Sequence, residues 1–159
     1  MKLYHGSNIA VEMPKVLSTD RRLDFGTGFY LTSSYDQAKR WAYLTQKRRG
    51  EGKQIVTSYE FNESVLSSLN VKRFDGASAE WLRFVSNNRN VKDFIDDSDI
   101  VIGPVANDRT MPVIKLYFAG IYDEAETIKR LLPQKLKDQY AFKSPRALEA
   151  LVLSEVIEL

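Results

Sequence analysis

Asp24-Phe25-Gly26-Thr27-Gly28-Phe29-Tyr30-Leu31-Thr32 decides how this chain is read. Gly26 and Gly28, one residue apart, mark a tight turn, and Phe29-Tyr30-Leu31 continues from it as a short apolar strand. The turn lacks the lysine, and the helix directly behind the glycines, that a phosphate-binding loop requires. Upstream, Lys2 to His5 reads as a strand ended by Gly6-Ser7-Asn8, and Val11 to Asp20 as a loop around Pro14. Downstream, Ser34 to Arg49 reads as a helix with Ala38, Trp41, Ala42 and Thr45 at helical spacing. Lys47-Arg48-Arg49-Gly50 closes it with basic residues and a glycine.

The rest of the chain keeps mixing strand and helix signals. Gln54 to Phe61 alternates, with Ile55, Thr57, Tyr59 and Phe61 on one face, which predicts a half-buried strand. Ser78 caps a predicted helix that buries Trp81, Leu82 and Val85 and ends near Asn87-Asn88. Asp99-Ile100-Val101-Ile102 is a short buried strand stopped by Gly103-Pro104. Thr110 to Tyr122 is helical in pattern, and Asp123 with Glu126 forms a capping box for a helix through Leu132 that Pro133 ends. Gln139 to Phe142 alternates again, Ser144-Pro145 opens a helix, and Leu151 to Leu159 is a final strand. With neither repeat nor linker, residues 1–159 read as one α+β domain.

Composition narrows the function. The chain has 159 residues, 43% hydrophobic and 28% charged, with a net charge of +2. That balance is globular and lacks the basic excess of a nucleic-acid or membrane-surface binder. It contains no cysteine, which excludes disulfides, zinc–thiolate sites and cysteine nucleophiles, and His5 is its only histidine, which excludes the usual zinc hydrolases. No metal site is expected. No apolar run approaches the ~18 residues of a spanning helix, and the N-terminus has no signal-peptide core, so the expected location is the cytoplasm, away from membranes.

Three stretches are candidates for chemistry. Tyr4-His5-Gly6-Ser7 ends the first strand; its histidine is either packed or functional, and a glycine beside it lets a ligand approach the backbone. Asp24 to Tyr30 is the second. Ile102-Gly103-Pro104-Val105-Ala106-Asn107-Asp108, where a buried strand breaks into a polar turn, is the third, and turn chemistry alone accounts for it equally well.

His-Gly-Ser near the start, followed by Gly-Phe-Tyr-Leu-Thr and a helix, resembles the ADP-ribosyltransferase superfamily. Within it, the pattern is similar to the His-Tyr branch of diphtheria toxin and the poly(ADP-ribose) polymerases. The run Asp24 to Thr32, the pair Asn88-Arg89 and Gly103 to Ala106 further resemble a bacterial family of uncharacterised domains, DUF3990. The resemblance implies a split β-sandwich of short antiparallel strands with surrounding helices. It implies an enzyme that takes NAD as substrate, cleaves its nicotinamide–ribose bond and moves ADP-ribose to a macromolecular acceptor, protein or nucleic acid. A toxin of a toxin–antitoxin pair, with an antitoxin protein as partner, is the role such a small bacterial domain suggests.

By the same resemblance, the catalytic positions are His5, Tyr30 and Gln139. Tyr30 matches the tyrosine that stacks on the cationic nicotinamide, and His5 the histidine that bonds a ribose hydroxyl. Cofactor-binding expectations are Gly6, Ser7, Arg22, Phe29, Trp41 and Arg89. The Gly6 backbone would hold the carboxamide, and Trp41 either flanks the ring or packs in the core. Arg22, Arg89 and Arg109 suit the pyrophosphate, with surface charge the plainer account of each. At Gln139 the chain departs from the pattern, because many relatives carry glutamate there. Glutamine can orient a ribose but cannot act as a base. A module that binds NAD or ADP-ribose without catalysis, and an NAD glycohydrolase, are therefore the alternative readings.

Overall fold

The computed structural model describes residues 1–19 and 21–159. Asp20, the end of the expected 11–20 loop, lies outside the described residues. The elements are β1 (Lys2–Ser7), β2 (Phe29–Leu31), α1 (Tyr35–Arg49), β3 (Ile55–Phe61), β4 (Val71–Arg73), α2 (Ala79–Asn90) and β5 (Ile100–Pro104). They continue with α3 (Met111–Phe118), α4 (Glu124–Leu131), β6 (Asp138–Phe142), α5 (Pro145–Leu148) and β7 (Leu151–Glu158), and a 3-10 turn over Glu63–Ser68 precedes β4.

The helix ends follow from local chemistry. The Ser34, Ser78, Asp123 and Ser144 side chains accept from backbone N–H groups of the first turns of α1, α2, α4 and α5. Gly50, at φ 69°, closes α1 behind its basic last turn. One expectation ran long: the helix expected over Thr110 to Tyr122 is α3, which stops at Phe118, ahead of Gly120 at φ 74°.

The strands form two sheets, ordered β1-β3-β7 and β2-β6-β5-β4. All pairs are antiparallel except β4–β5, which is parallel. The expected set of antiparallel strands is corrected at that edge. There α2 carries the chain from β4 back to β5, as a parallel pair requires. The sheets pack on a shared core of Leu3, Tyr59 and Phe61 from one and Leu31, Ile100, Tyr140 and Phe142 from the other. Behind the second sheet, Val101 and Ala141 meet Trp81, Leu82 and Val85 of α2, Ile114 of α3 and Leu131 of α4. Behind the first, Ala38 and Ala42 of α1 press on Val56. β3 is therefore covered on both faces, with Val56 and Ser58 at 0% exposure, and the half-buried strand expected there is corrected. Among the described residues, no helix is long and apolar enough to cross a membrane.

Candidate functional site

β1 lies against β3 along its length, with His5 opposite Thr57. Its other edge meets the second sheet at a bridge between Tyr4 and Thr32, closed by N–H···O bonds of 2.8 and 3.0 Å. Beside that bridge, His5 Nδ1 stands 2.7 Å from the Tyr30 carbonyl oxygen. A carbonyl only accepts, so Nδ1 carries the proton and Nε2 is the free acceptor. The ring stacks on Phe29 at 4.3 Å between centroids. Burial pushes the imidazole pKa below its ordinary value, against a smaller upward push from the Tyr30 carbonyl. Asp96 Oδ2 is the one fully buried side-chain polar atom without a partner among the described residues. Nε2 has no protein partner there either, and it is not among those fully buried atoms.

Tyr30 works on the turn that precedes it. Its hydroxyl donates to the Gly26 carbonyl at 2.6 Å and accepts from the Phe25 N–H at 3.1 Å. Burial, with the Asp24 charge adding to it, raises the phenol pKa well above its ordinary value, so the hydroxyl stays protonated. Gly26 holds φ 79°, and a Cβ there would sit 2.7 Å from Asn88 Oδ1. The left-handed backbone of the turn is what requires glycine, since the Asn88 side chain can shift.

Asp24, 5% exposed, is the centre of this region. Arg89 Nε donates to Oδ1 at 2.7 Å, while the Ala106 N–H and Gln139 Nε2 donate to Oδ2 at 3.2 and 3.0 Å. Gln139 Nε2 also donates to the Pro104 carbonyl at 3.2 Å, and Trp81 Nε1 reaches the same oxygen at 3.1 Å. Thus the run Asp24 to Thr32, the pair Asn88-Arg89, the stretch Gly103 to Ala106 and Gln139 all meet around one buried carboxylate.

The expected site residues divide accordingly. His5 and Tyr30 meet through the Tyr30 backbone, with no side-chain hydrogen bond between them, and their rings lie on opposite faces of β2. Tyr30 and Gln139 both tie to residues 24–26. Phe29 is 7% exposed and belongs to the core between the sheets. Gly6 owes its lack of side chain to α1, since a Cβ there would be 1.9 Å from the Ala38 carbonyl oxygen. Ser7, the last residue of β1, pairs with Ile55. Trp41 is half-buried on α1, outside the three packed clusters. Arg89 serves Asp24. Arg22 is exposed and reaches the Arg89 carbonyl at 3.4 Å, and Arg109 is exposed in the turn before α3.

Asp138, the carboxylate next to Gln139, is committed elsewhere. It accepts from Thr32 Oγ1 at 3.0 Å, from the Ser33 N–H at 2.8 Å and from the Ser33 hydroxyl. Neither of two surface clefts of about 250–260 Å³, one near Arg73 and Lys137 and the other near Asp96 and Lys143, is lined by His5, Tyr30 or Gln139. Among the described residues, no group of acidic or histidine side chains is placed to hold a metal ion.

Fold and site together define an α+β domain of paired sheets whose seam carries a neutral histidine beside a buried Asp–Arg–Gln cluster. The chain belongs to a family described as a protein of unknown function, DUF3990, whose sequence profile matches residues 1–153. No curated protein and no solved structure matches it.

Proposed function

We propose that this domain binds NAD at the seam between its sheets and transfers ADP-ribose from it to a macromolecular acceptor. The observation that carries the reading is the meeting of His5 and Tyr30, 2.7 Å from Nδ1 to carbonyl oxygen. It joins the two motifs on which the resemblance to ADP-ribosyltransferases rests and leaves His5 Nε2 as a neutral acceptor without a partner among the described residues. The face-to-face packing of two sheets of short strands supports the split-sandwich fold of that superfamily.

In this reaction the bond from ribose C1′ to the nicotinamide nitrogen breaks. Its electron pair goes to the pyridinium ring, which leaves neutral, and positive charge develops on C1′ and the ring oxygen. The acceptor's nucleophile then bonds to C1′ and gives up its proton to water. A tyrosine ring suits the cationic ground state of nicotinamide. A neutral imidazole acceptor holds a ribose hydroxyl without bringing a second positive charge near C1′. Neither Gln139 nor the committed Asp138 supplies a base, so the fitting acceptor is a nucleophile reactive without one.

That same absence favours a second reading, a module that binds NAD or ADP-ribose without cleaving it. One experiment separates the readings: nicotinamide release from NAD by the pure protein, alone and with cell extract, for wild type, His5→Ala and Tyr30→Phe. Transfer predicts release that depends on extract, is lost in His5→Ala and persists in Tyr30→Phe, which keeps the ring. Release without extract indicates hydrolysis. Absence of release, with NAD raising the melting temperature, selects the binding module. Neither release nor a shift rejects the NAD site.

A further inference from the structure

We propose that Asp24 is a positioning residue that sets which end of the Gln139 amide faces a ligand, and that its charge is the reason position 139 holds an amide and not a carboxylate. The inference deepens the NAD reading only in naming the ligand group, a hydroxyl of a ribose-like diol; the orientation itself stands on the geometry.

A carboxylate oxygen and a peptide carbonyl both only accept hydrogen bonds. The Gln139 atom that lies 3.0 Å from Asp24 Oδ2 and 3.2 Å from the Pro104 oxygen must therefore be nitrogen, and both of its hydrogens are spent there. The amide cannot flip without facing two acceptors with a third. Oε1 is left without a donor among the described residues. It is not among their fully buried unpartnered atoms, although the side chain is only 3% exposed. Asp24 is itself held by the Arg89 guanidinium and the Ala106 N–H, from α2 and from the turn after β5. The amide is thus clamped by groups that come from separate parts of the chain.

A glutamate at 139 would bring an anionic oxygen to about the same place, beside Asp24 Oδ2 and the Pro104 carbonyl, with no donor between them. Two carboxylates so placed cannot both ionise, and one must keep a proton. The charged groups around position 139 are Asp24 and Arg89, with the neutral Tyr30 hydroxyl on the same turn. Arg89 is already committed to Asp24 Oδ1, so the added charge goes unmatched.

The test uses the full chain as wild type, Q139E, D24N and D24N/Q139E, with melting temperatures measured from pH 5 to 8. The inference predicts a Q139E midpoint at least about 5 °C below wild type at pH 8, narrowing as pH falls and the new carboxyl takes up a proton. The double variant should recover part of the loss and lose the excess pH dependence, because the amide introduced at position 24 can donate to the carboxylate introduced at position 139, while the Ala106 N–H and the Pro104 carbonyl lose their partners. A Q139E midpoint and pH slope like those of wild type would overturn the inference. So would a double variant no better than Q139E, including the case where neither folds. A structural contact without charge specificity would show no such rescue. NAD titration of wild type and D24N then tests the ligand group, with D24N, in which the Gln139 amide no longer faces the Asp24 carboxylate, expected to bind about tenfold more weakly. Equal binding by the two overturns the positioning role. No NAD binding by wild type rejects the NAD reading alone, since the melting data do not depend on it.

Discussion

At Asp24 a carboxylate is almost removed from water, and each of its donors comes from a different part of the chain. Arg89 lies 65 positions away, Ala106 82 and Gln139 115. Removing Arg89 leaves the charge with only neutral donors. The Arg89→Ala variant should lose nearer about 3 than 5 kcal/mol of stability, because Arg89 is 27% exposed and water can partly replace it. The denaturant midpoint should fall with an unchanged slope; a stability within about 0.5 kcal/mol of wild type would mean that the neutral donors suffice. His5 gives the opposite kind of dependence. Its folded pKa lies below the unfolded value of about 6.5, so the unfolded chain binds the proton more readily. Its contribution to stability is fully present above pH 6.5 and declines as pH falls through the interval between unfolded and folded pKa. His5 is the only histidine, so the melting temperature of wild type should drop more between pH 7 and 5 than that of His5→Gln. Parallel curves for the two would show that the imidazole is not held neutral.

Among the elements, helices were the most legible in the sequence, because a cap is a short-range event. Ser34, Ser78, Asp123 and Ser144 each bond a backbone N–H three residues on, and that spacing is visible without a fold. Strand faces were less legible. The alternation of Gln54 to Phe61 identified a strand, but nothing local announces that α1 covers Val56. β4 has only 3 residues, and its pattern carries no period to detect. Gly6 is the clearest example, since beside a histidine it reads as an opening for a ligand, whereas in the fold it is where α1 touches β1. Gly6→Ala would force a Cβ to 1.9 Å from the Ala38 carbonyl oxygen and 2.7 Å from the Ala42 nitrogen. Both are backbone atoms that no rotamer change can move. The loss should therefore reach or exceed the upper end of the roughly 1–3 kcal/mol usual for overpacking. Thermal unfolding of Gly6→Ala checks this, and a drop under about 2 °C would mean that α1 slides on the sheet without cost.

At the scale of the whole molecule, the sheets share one core but are joined edge to edge only at Tyr4 and Thr32 among the described residues. The site could be read in the sequence as a set of motifs, yet not as a cluster, since hydrogen bonds spanning 65 to 115 residues leave no local pattern. The same architecture makes an unequal stability testable. β5 and β6 pair from Ile100↔Phe142 to Pro104↔Asp138, with Val101 and Ala141 fully buried under the helices. Opening those bonds exposes the core behind the second sheet, so their amides should exchange only on global unfolding. The bridge at Tyr4 and Thr32 consists of two backbone bonds, outside the regular strand ladders. Amide exchange at Tyr4 and Thr32 should therefore be faster than at Val101 and Ala141, by a smaller free energy of opening. If NAD sits across the seam, saturating NAD should slow exchange at Tyr4 and Thr32 and leave β5 and β6 nearly unchanged. Equal protection at all four amides in the free protein would mean that the sheets open as one unit. In that case the seam offers no separate motion through which a ligand could enter.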